Sequence, residues 1–375
     1  MFTLKHKKML GLIAFCSLLF TSCYPSGGEL LSTEDNAAIS NQIENIVSNN
    51  EDLDVEVTLP AESVAELPKI NVKIMEWDED QLKNVFLSGK ENLVHEEHTC
   101  ELFTDEKQHV YYTAEDAEGD ERYAFNYQPM DLVSQSSGSG VFGYGTLRTY
   151  LGYAHLEDIF TDSDISLLSK DDAIERCTDI LKSVGITNYS DPDVYAVTVD
   201  KANIFWKEQM YTDYEEYKDW SSAEEEVYIM RFPLKYGDIN AATSDPNFCA
   251  NYGPVGVFVG SYVNFVVTKD GIHSLDARNI FSPEYEAGDT VKINCSAEKA
   301  LKIAAEHYDS VSINDVKYKI FDCSLVYVPH DQYDEKNFTL VPMWEIEAAY
   351  YRDDDTIGTY DNLYIDAEAG NIIIW

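Results

Sequence analysis

The chain contains 375 residues, and 45% of them are hydrophobic, which is enough for a packed core over most of its length. Its 68 acidic residues against 27 basic ones give a formal net charge of −41. Such a surplus repels nucleic acid, whose phosphates are bound by Lys and Arg, and it disfavours docking of the folded part onto an anionic membrane. We therefore expect no nucleic-acid partner.

The N-terminal segment has the composition of a secretion signal. Lys5, Lys7 and Lys8 give it a basic start, and the stretch from Met9 to Phe20 is almost wholly apolar. This stretch is too short for a helix that would remain in the membrane. Small residues then precede Cys23. The pattern predicts export from the cytoplasm.

The run Leu19-Phe20-Thr21-Ser22-Cys23 resembles the lipobox of bacterial lipoproteins. In that family cleavage falls before the cysteine, and its thiol takes a diacylglycerol. Phe20 departs from the pattern, because the family usually has Leu there. The resemblance implies that residues 1–22 are a signal peptide and that Cys23 is the lipidated N-terminus. The lipid on Cys23 then attaches the protein to the membrane, and the rest of the chain lies outside the cytoplasm, on the outer face of the cell membrane.

Residues 23–66 are predicted to form an acidic tether between the anchor and the body. One amphipathic stretch interrupts it, in which Ile39, Ile43 and Ile46 share a helical face. A helix of this length is marginal in isolation, so we expect a short one at most.

Residues 67–160 are predicted to form an N-terminal α+β domain. Alternating polarity at 67–74 indicates a strand, and acids at the start of 78–87 indicate a helix. Polar turns separate three further strand-like runs, which predict an antiparallel meander. These runs are residues 98–103, 109–114 and 122–127.

A tandem repeat, residues 161–285 and 286–375, organises the rest of the chain. Ser169 and Ser296 can each cap a helix whose first turn carries acids and whose apolar residues recur every 3.6 positions. Three strand-like segments follow each helix, so we predict an α+β fold in which each antiparallel meander is packed by one helix. The matched segments are Asp193–Asp200 with Asp315–Asp322, Arg231–Leu234 with Leu340–Met343, and Asn264–Val267 with Asn362–Ile365.

A helix followed by a meander that ends in an apolar strand, an acidic hairpin and Gly is similar to PepSY-type domains, and the runs Pro342–Glu345 and Tyr364–Asn371 carry most of this likeness. The whole mature chain also resembles lipoproteins of Gram-positive bacteria that are classed as domains of unknown function. PepSY-type modules occur in protease propeptides and in extracytoplasmic regulators of proteases or sensor kinases. The resemblance implies a binding or regulatory role in the cell envelope, and it carries over no catalytic residue.

Motifs for cofactors and metals are incomplete. Gly138–Gly143 match a dinucleotide fingerprint but lack the flanking strand and helix that it needs. His95 and His98 are three positions apart, whereas a zinc-binding helix places two His four apart. The acidic clusters lack a Ca²⁺-binding loop, and the cysteines include no CxxC pair. We expect no cofactor, no metal site and at most one disulfide.

An aromatic series recurs between acids in the first repeat, with one ring every three residues. On a loop or short helix such rings form a platform for a glycan or a peptide, or they cover an edge of the core, and the spacing leaves both open. The series consists of Tyr211, Tyr214, Tyr217 and Trp220.

We expect a non-catalytic binding or regulatory module that contacts an envelope protein or peptide, either at an exposed sheet edge or at the aromatic series. One alternative is an extracytoplasmic hydrolase, which requires a cleft with two carboxyls of unlike pKa. Another is a solute-binding lipoprotein. That class typically has two α/β lobes, and the chain lacks the alternation of strands and helices that would build them.

Overall fold

The computed structural model describes residues 33–50, 52–59, 64–99, 108–119, 122–128, 130–137, 160, 163–209, 220–243, 260–311, 317–332, 337–351 and 357–373. Over these ranges the chain is mixed α+β, and antiparallel sheets dominate it. The predicted fold class is therefore confirmed.

Helices cover the sheets rather than packing into a bundle of their own. No helix in the ranges above has the length and apolar composition that crossing a membrane requires. The helices are α1 (Thr33–Asn49), α2 (Glu79–Leu87), α3 (Lys170–Ser183), α4 (Val199–Gln209) and α5 (Ala297–Val311). A single 3₁₀ turn is found at Ala223–Glu225.

The strands vary from short bridging pairs to long ribbons in the second repeat. In chain order they are β1 (Leu53–Val55), β2 (Glu66–Ile74), β3 (Glu91–Thr99), β4 (Gln108–Glu115), β5 (Arg122–Gln128), β6 (Asp131–Ser137), β7 (Asp193–Val197), β8 (Val227–Pro233), β9 (Lys235–Tyr236), β10 (Ile239–Asn240), β11 (Tyr262–Thr268), β12 (Gly271–Arg278), β13 (Phe281–Lys292), β14 (Lys317–Gln332), β15 (Asn337–Tyr351), β16 (Ile357–Asp366) and β17 (Ile372–Ile373).

The larger sheet has eight strands in the order β3-β4-β5-β6-β12-β11-β8-β7, and every neighbouring pair is antiparallel. One of its faces carries the main apolar core, which includes Phe125, Leu132 and Phe265. Helix α3 covers this face, and the Cys177 thiol lies 3.7 Å from the sulfur of Met230 on β8.

The second sheet follows the order β1-β14-β15-β16-β17 and has a side branch. The first part of β15 pairs with β2, which pairs in turn with β13, whereas the second part of β15 pairs with β16. Helix α5 covers one face through Ala300, Ala304 and Tyr308, which pack with Trp344 and Ile346.

The predicted repeat is present in the strand order. After α3 come β7, β8 and β11 as antiparallel neighbours, and after α5 come β14, β15 and β16 in the same arrangement. Ser169 accepts a hydrogen bond from the backbone N–H of Asp172, and Ser296 accepts one from that of Lys299. Both serines therefore satisfy first-turn donors, as expected of helix caps.

The strand pairing corrects one detail of the repeat alignment. Asn264 lies opposite Arg231, and its counterpart Asn362 lies opposite Glu347. Arg231 therefore corresponds to Glu347, and Pro233 does not correspond to Pro342. Short apolar runs can be aligned with one another at several offsets in the sequence, whereas the hydrogen-bonded register of the strands allows only one alignment.

The predicted domain boundaries differ from the structure in two places. The tether predicted over 23–66 is wrong for much of its length, because Ile43 and Ile46 of α1 pack on the core beneath α5 and β1 pairs with β14. Residues 67–160 are not a separate unit either. Strand β2 joins the second sheet, and β6 pairs with β12 of the first repeat. A small meander leaves an unpaired edge, which this pairing removes.

Candidate binding site

Strand β3 is the outer edge of the eight-stranded sheet. The described residues contain no strand on its far side, and all side chains from Glu91 to Glu97 are exposed. Two of them are large and apolar, since Leu93 is 55% exposed and Val94 is 50% exposed. An edge of this kind presents unpaired backbone N–H and C=O groups to a further strand.

A bulge marks the start of this edge. The register between β3 and β4 shifts between Glu91 and Val94. Asn92 has a φ of 51°, and its side chain donates a 2.9 Å hydrogen bond to Glu115. Asn tolerates this left-handed conformation better than most residues. From Val94 to Thr99 the pairing of β3 with β4 is regular, so this stretch of β3 is the part suited to pairing with a further strand.

Helix α2 fixes the inner side of the same edge. Glu79 accepts hydrogen bonds from Tyr112 at 2.5 Å and from Tyr127 at 2.9 Å, and Lys83 lies 3.1 Å away. The bond from Tyr112 is the main reason that the pKa of Glu79 is lowered to about 2. His95 stacks on the Tyr112 ring with centroids 4.5 Å apart. The edge strand therefore rests on an ordered layer.

A mostly polar row crosses the other face of this sheet. Its members occupy paired positions on successive strands, and on β4, β5, β12, β11 and β8 the residues on either side of them belong to the core or pack against it. Val133 is the one aliphatic member. From β3 to β7 the row is Glu96, Tyr111, Asn126, Val133, Asp276, Asn264, Arg231 and Asp193.

Arg278 stands beside this row between two carboxylates. Its Nε lies 2.7 Å from Asp276, and its Nη1 lies 3.6 Å from Asp131. Asp131 also accepts hydrogen bonds from the backbone of Asn279 and the side chain of Gln128. Burial alone would lower the pKa of Arg278, but the two carboxylates outweigh it and raise that pKa. The cluster therefore combines one guanidinium with two carboxyl groups, all held by direct contacts.

A shallow groove of about 200 Å³ opens on this face between β4 and β12. It is smaller than the several hundred Å³ of a typical small-molecule site, so it suits a side chain or a single ring. Tyr111, which lines the groove, is paired with Glu96 on the edge strand, so the groove lies next to that strand. Its lining consists of Tyr111, Ala124, Asn126, Val133, Gln135 and Arg278.

A buried carboxyl lies in the second repeat. Glu345 is 3% exposed and accepts hydrogen bonds from Tyr364 at 2.6 Å and from Asn362 at 3.3 Å. Burial raises its pKa to about 7, and the nearby charge of Asp322 adds to the effect. The backbone N–H of Thr243 also bonds to it. This is the chemistry that the hydrolase alternative needs, but its side chain is closed off from solvent.

The predicted site residues fall largely beyond the described ranges. Cys23, Tyr211, Tyr214 and Tyr217 all lie outside them, as do the glycines 138–143. Trp220 is described and is only 7% exposed, and its backbone exchanges two 2.9 Å hydrogen bonds with the Asn203 side chain. For this residue the burial favours the second of the two alternatives, that the aromatic series covers an edge of the core.

The His pair does not assemble a recognisable metal site. His95 is paired with Glu97 at 3.2 Å, in addition to its stacking on Tyr112. The described part of the chain contains no group of three or more His, Cys, Asp or Glu side chains arranged to hold a metal ion.

Sequence reasoning missed two charged centres that had a local indication. Glu345 stands between Trp344 and Ile346 in an otherwise apolar run, and an acid in such a run is rarely buried without a partner. Asp276 and Arg278 are two positions apart in a strand, so they share a face. Asp131, which completes that cluster, is distant in sequence and carried no such indication.

Comparison with known proteins establishes the fold alone. No protein-family model matches the chain, and no curated protein matches it significantly. A solved structure, an uncharacterized protein from Eubacterium rectale ATCC 33656, superposes with a TM-score of 0.63 at 12% sequence identity. The match covers 90% of this chain and 98% of that one. The architecture is therefore shared over nearly the full length of both proteins.

Proposed function

We propose that this chain is a bacterial surface lipoprotein, anchored through a diacylglycerol on Cys23, that binds an envelope protein or peptide without catalysing a reaction. The observation that carries the binding role is the edge from Val94 to Thr99, where the ladder is regular and the described residues place no further strand beside it. Strand addition at such an edge is a common way of recognising an extended segment. The lipobox-like run before Cys23 supports the anchor.

The polar face next to the edge supports the same role. A strand added beside β3 would place alternate side chains on the face that carries Glu96 and Tyr111, next to the groove. Backbone pairing supplies affinity in this mode, and side-chain contacts on the two faces supply specificity. The layer beneath, held by Glu79 and Tyr112, keeps the edge in place without a ligand.

The binding role is tested by blocking the edge. Val94→Pro removes one backbone donor and places a rigid ring at the start of the regular ladder, so we expect it to disturb this edge as a template for a further strand. We expect the variant to keep its fold by circular dichroism and to lose its envelope partner in crosslinking. Glu284→Pro on β13 is the matched control, since Glu284 is exposed on a different sheet. Retention of the same partner by Val94→Pro would contradict the proposal.

The anchor is tested separately. Cys23→Ala removes the thiol that would take the lipid, so we expect the protein to appear in the medium or to keep its signal segment. Metabolic labelling with a fatty acid should mark the wild-type protein and leave the variant unlabelled. Unchanged membrane retention, together with an unlabelled wild type, would contradict the anchor.

One observation favours a second candidate, the hydrolase. Glu345 combines a pKa raised to about 7 with a neighbouring carboxylate on Asp322, a pairing typical of acid–base catalysis. Its 3% exposure argues for a closed structural centre instead. Turnover of wall polymer or peptide that disappears in Glu345→Gln would favour the hydrolase over the binding module.

A further inference from the structure

We propose that the segment recognised at β3 is a basic, extended peptide that adds to the edge as a ninth strand. This inference rests on the proposed binding role and adds the chemistry of the partner. It comes from three properties of the edge, namely its charge, its exposed apolar side chains and the direction in which each side chain points.

Apart from His95 and His98, the ionisable side chains of the edge strand are all acids. Strand β3 contains Glu91, Glu96 and Glu97 and no Lys or Arg. The chain as a whole carries 68 acids against 27 basic residues, so the surroundings reinforce the negative potential. Opposite charges on directly paired positions of neighbouring strands stabilise pairing, and like charges weaken it. A partner strand with Lys or Arg is therefore favoured over a neutral or an acidic one.

The same charges disfavour pairing between two copies of this chain. Two β3 edges brought together would set an acid-rich strand against another acid-rich strand. Acids on an edge strand also hinder aggregation, which is a sufficient explanation for Glu96 and Glu97 alone. It does not explain Leu93 and Val94, which are exposed apolar side chains on the same edge.

The two faces of β3 determine which positions of the partner strand are basic and which are apolar. His95 stacks on Tyr112 on the inner face, so Val94 and Glu96 share the outer face. A partner residue opposite Glu96 is then basic, and the residue two positions away, opposite Val94, is apolar. Glu97 on the inner face lies 3.2 Å from His95, and a second basic residue opposite it, adjacent to the first, replaces or shares that contact. In an antiparallel partner the two basic residues come before the apolar one, and in a parallel partner the order along the chain is reversed.

The binding experiment uses a capped peptide with the central sequence Lys-Lys-Thr-Val flanked by threonines, titrated against the wild-type protein by calorimetry. Two further peptides serve as controls, one with Glu-Glu replacing Lys-Lys and one with backbone amides methylated at alternate residues. Methylation keeps every charge and removes the N–H donors that a strand requires. We expect binding by the first peptide and at least about tenfold weaker binding by each control, the equivalent of losing one or two net hydrogen bonds.

Protein variants separate strand addition from general attraction. Glu96→Lys should weaken the basic peptide by about tenfold. Glu118→Lys makes the same charge change at an exposed turn residue off the edge and should leave affinity within about twofold. Equal effects of the two variants, or unchanged binding by the methylated peptide, would overturn the proposal in favour of general electrostatic attraction.

The outcome also separates this inference from the binding role itself. If Val94→Pro abolishes capture of an envelope partner while the basic peptide fails to bind, the edge is a binding site for a segment of other chemistry. If Val94→Pro leaves capture unchanged, the binding role fails together with this inference. Should Glu96→Lys misfold, the comparison of the three peptides on the wild-type protein still decides the question.

Discussion

Tyr364 donates a 2.6 Å hydrogen bond to Glu345 on the neighbouring strand of the second repeat. The register of the first repeat places Ile229 and Val266 at the equivalent positions, and both are almost fully buried. The same arrangement of helix and strands is therefore built once with an apolar pair and once with a carboxyl and a phenol. The fold does not require an acid at this position, so Glu345 makes the second repeat sensitive to pH.

Replacing Glu345 with Gln should change the dependence of stability on pH. Its pKa is about 7 in the folded protein against an ordinary value of 4.5. Because the pKa is higher in the folded state, protonation of Glu345 stabilises that state. This contribution to the free energy of unfolding is fully present below pH 4.5 and is lost as the pH rises through 7. The loss is on the order of 3 kcal/mol.

We expect Glu345→Gln to melt above the wild type at pH 8 and to lose this advantage near pH 5. Thermal unfolding at both pH values checks the result. Glu284→Gln, an exposed acid on β13, is the control and should show no such crossover. Parallel melting curves for Glu345→Gln and the wild type across this range would contradict the buried, protonated state.

Glu79→Gln should have the opposite effect on the pH dependence of stability. The hydrogen bond from Tyr112, with others from Lys83 and Tyr127, lowers the pKa of Glu79 to about 2. Its contribution is present above pH 4.5 and is lost as the pH falls from there towards 2. The variant should therefore be less stable than the wild type at pH 7 and differ little from it near pH 2.

Chemical denaturation at a series of pH values measures this difference. The side chain of Glu79 is 38% exposed, so screening by solvent keeps the effect modest. Tyr127→Phe removes one donor and should reproduce part of the shift. A Glu79→Gln variant with the full acid sensitivity of the wild type would contradict the assigned contacts.

Three cysteines should resist alkylation in the folded protein. Cys177 and Cys323 are at most 1% exposed, and Cys295 is fully buried. Burial raises the pKa of each thiol, that of Cys295 to about 11. The thiolate is the reactive form, so iodoacetamide should modify these residues only after unfolding. Peptide mapping after native and denaturing labelling checks this, and rapid native labelling of Cys177 would contradict its place in the core.

Local patterns in the sequence were sufficient for the repeat and for the helix that opens each copy, but they did not predict α4 within the first copy. The serine cap at Ser169 and the apolar period predicted α3, whose residues Ala173, Cys177 and Leu181 are buried as expected. The pairing of β6 with β12 joins Ser134 to Leu275 across a long stretch of chain. Nothing local encodes that pairing, because neither strand carries a feature that distinguishes its partner from other strands.

The candidate site also combines features that local sequence patterns predicted with features that depend on long-range strand pairing. An exposed edge was expected as a binding mode, but the identity of the edge strand depends on which strands pair with one another. Trp220 belongs to a series that was predicted either to form a platform or to cover an edge of the core, and it is buried beside Asn203. Spacing alone does not say which side of a periodic series faces the core, since packing against distant elements decides it.

The most direct measurement of the central claim is photo-crosslinking on intact cells. A benzophenone amino acid is placed at position 94 on β3 and, in a second strain, at position 284 on β13, which is also exposed to solvent. If β3 is the binding edge, irradiation gives a discrete adduct from position 94, mapped by mass spectrometry to an extended segment of one partner, and none from position 284. Equal adducts from both positions, or none from position 94, would contradict the claim.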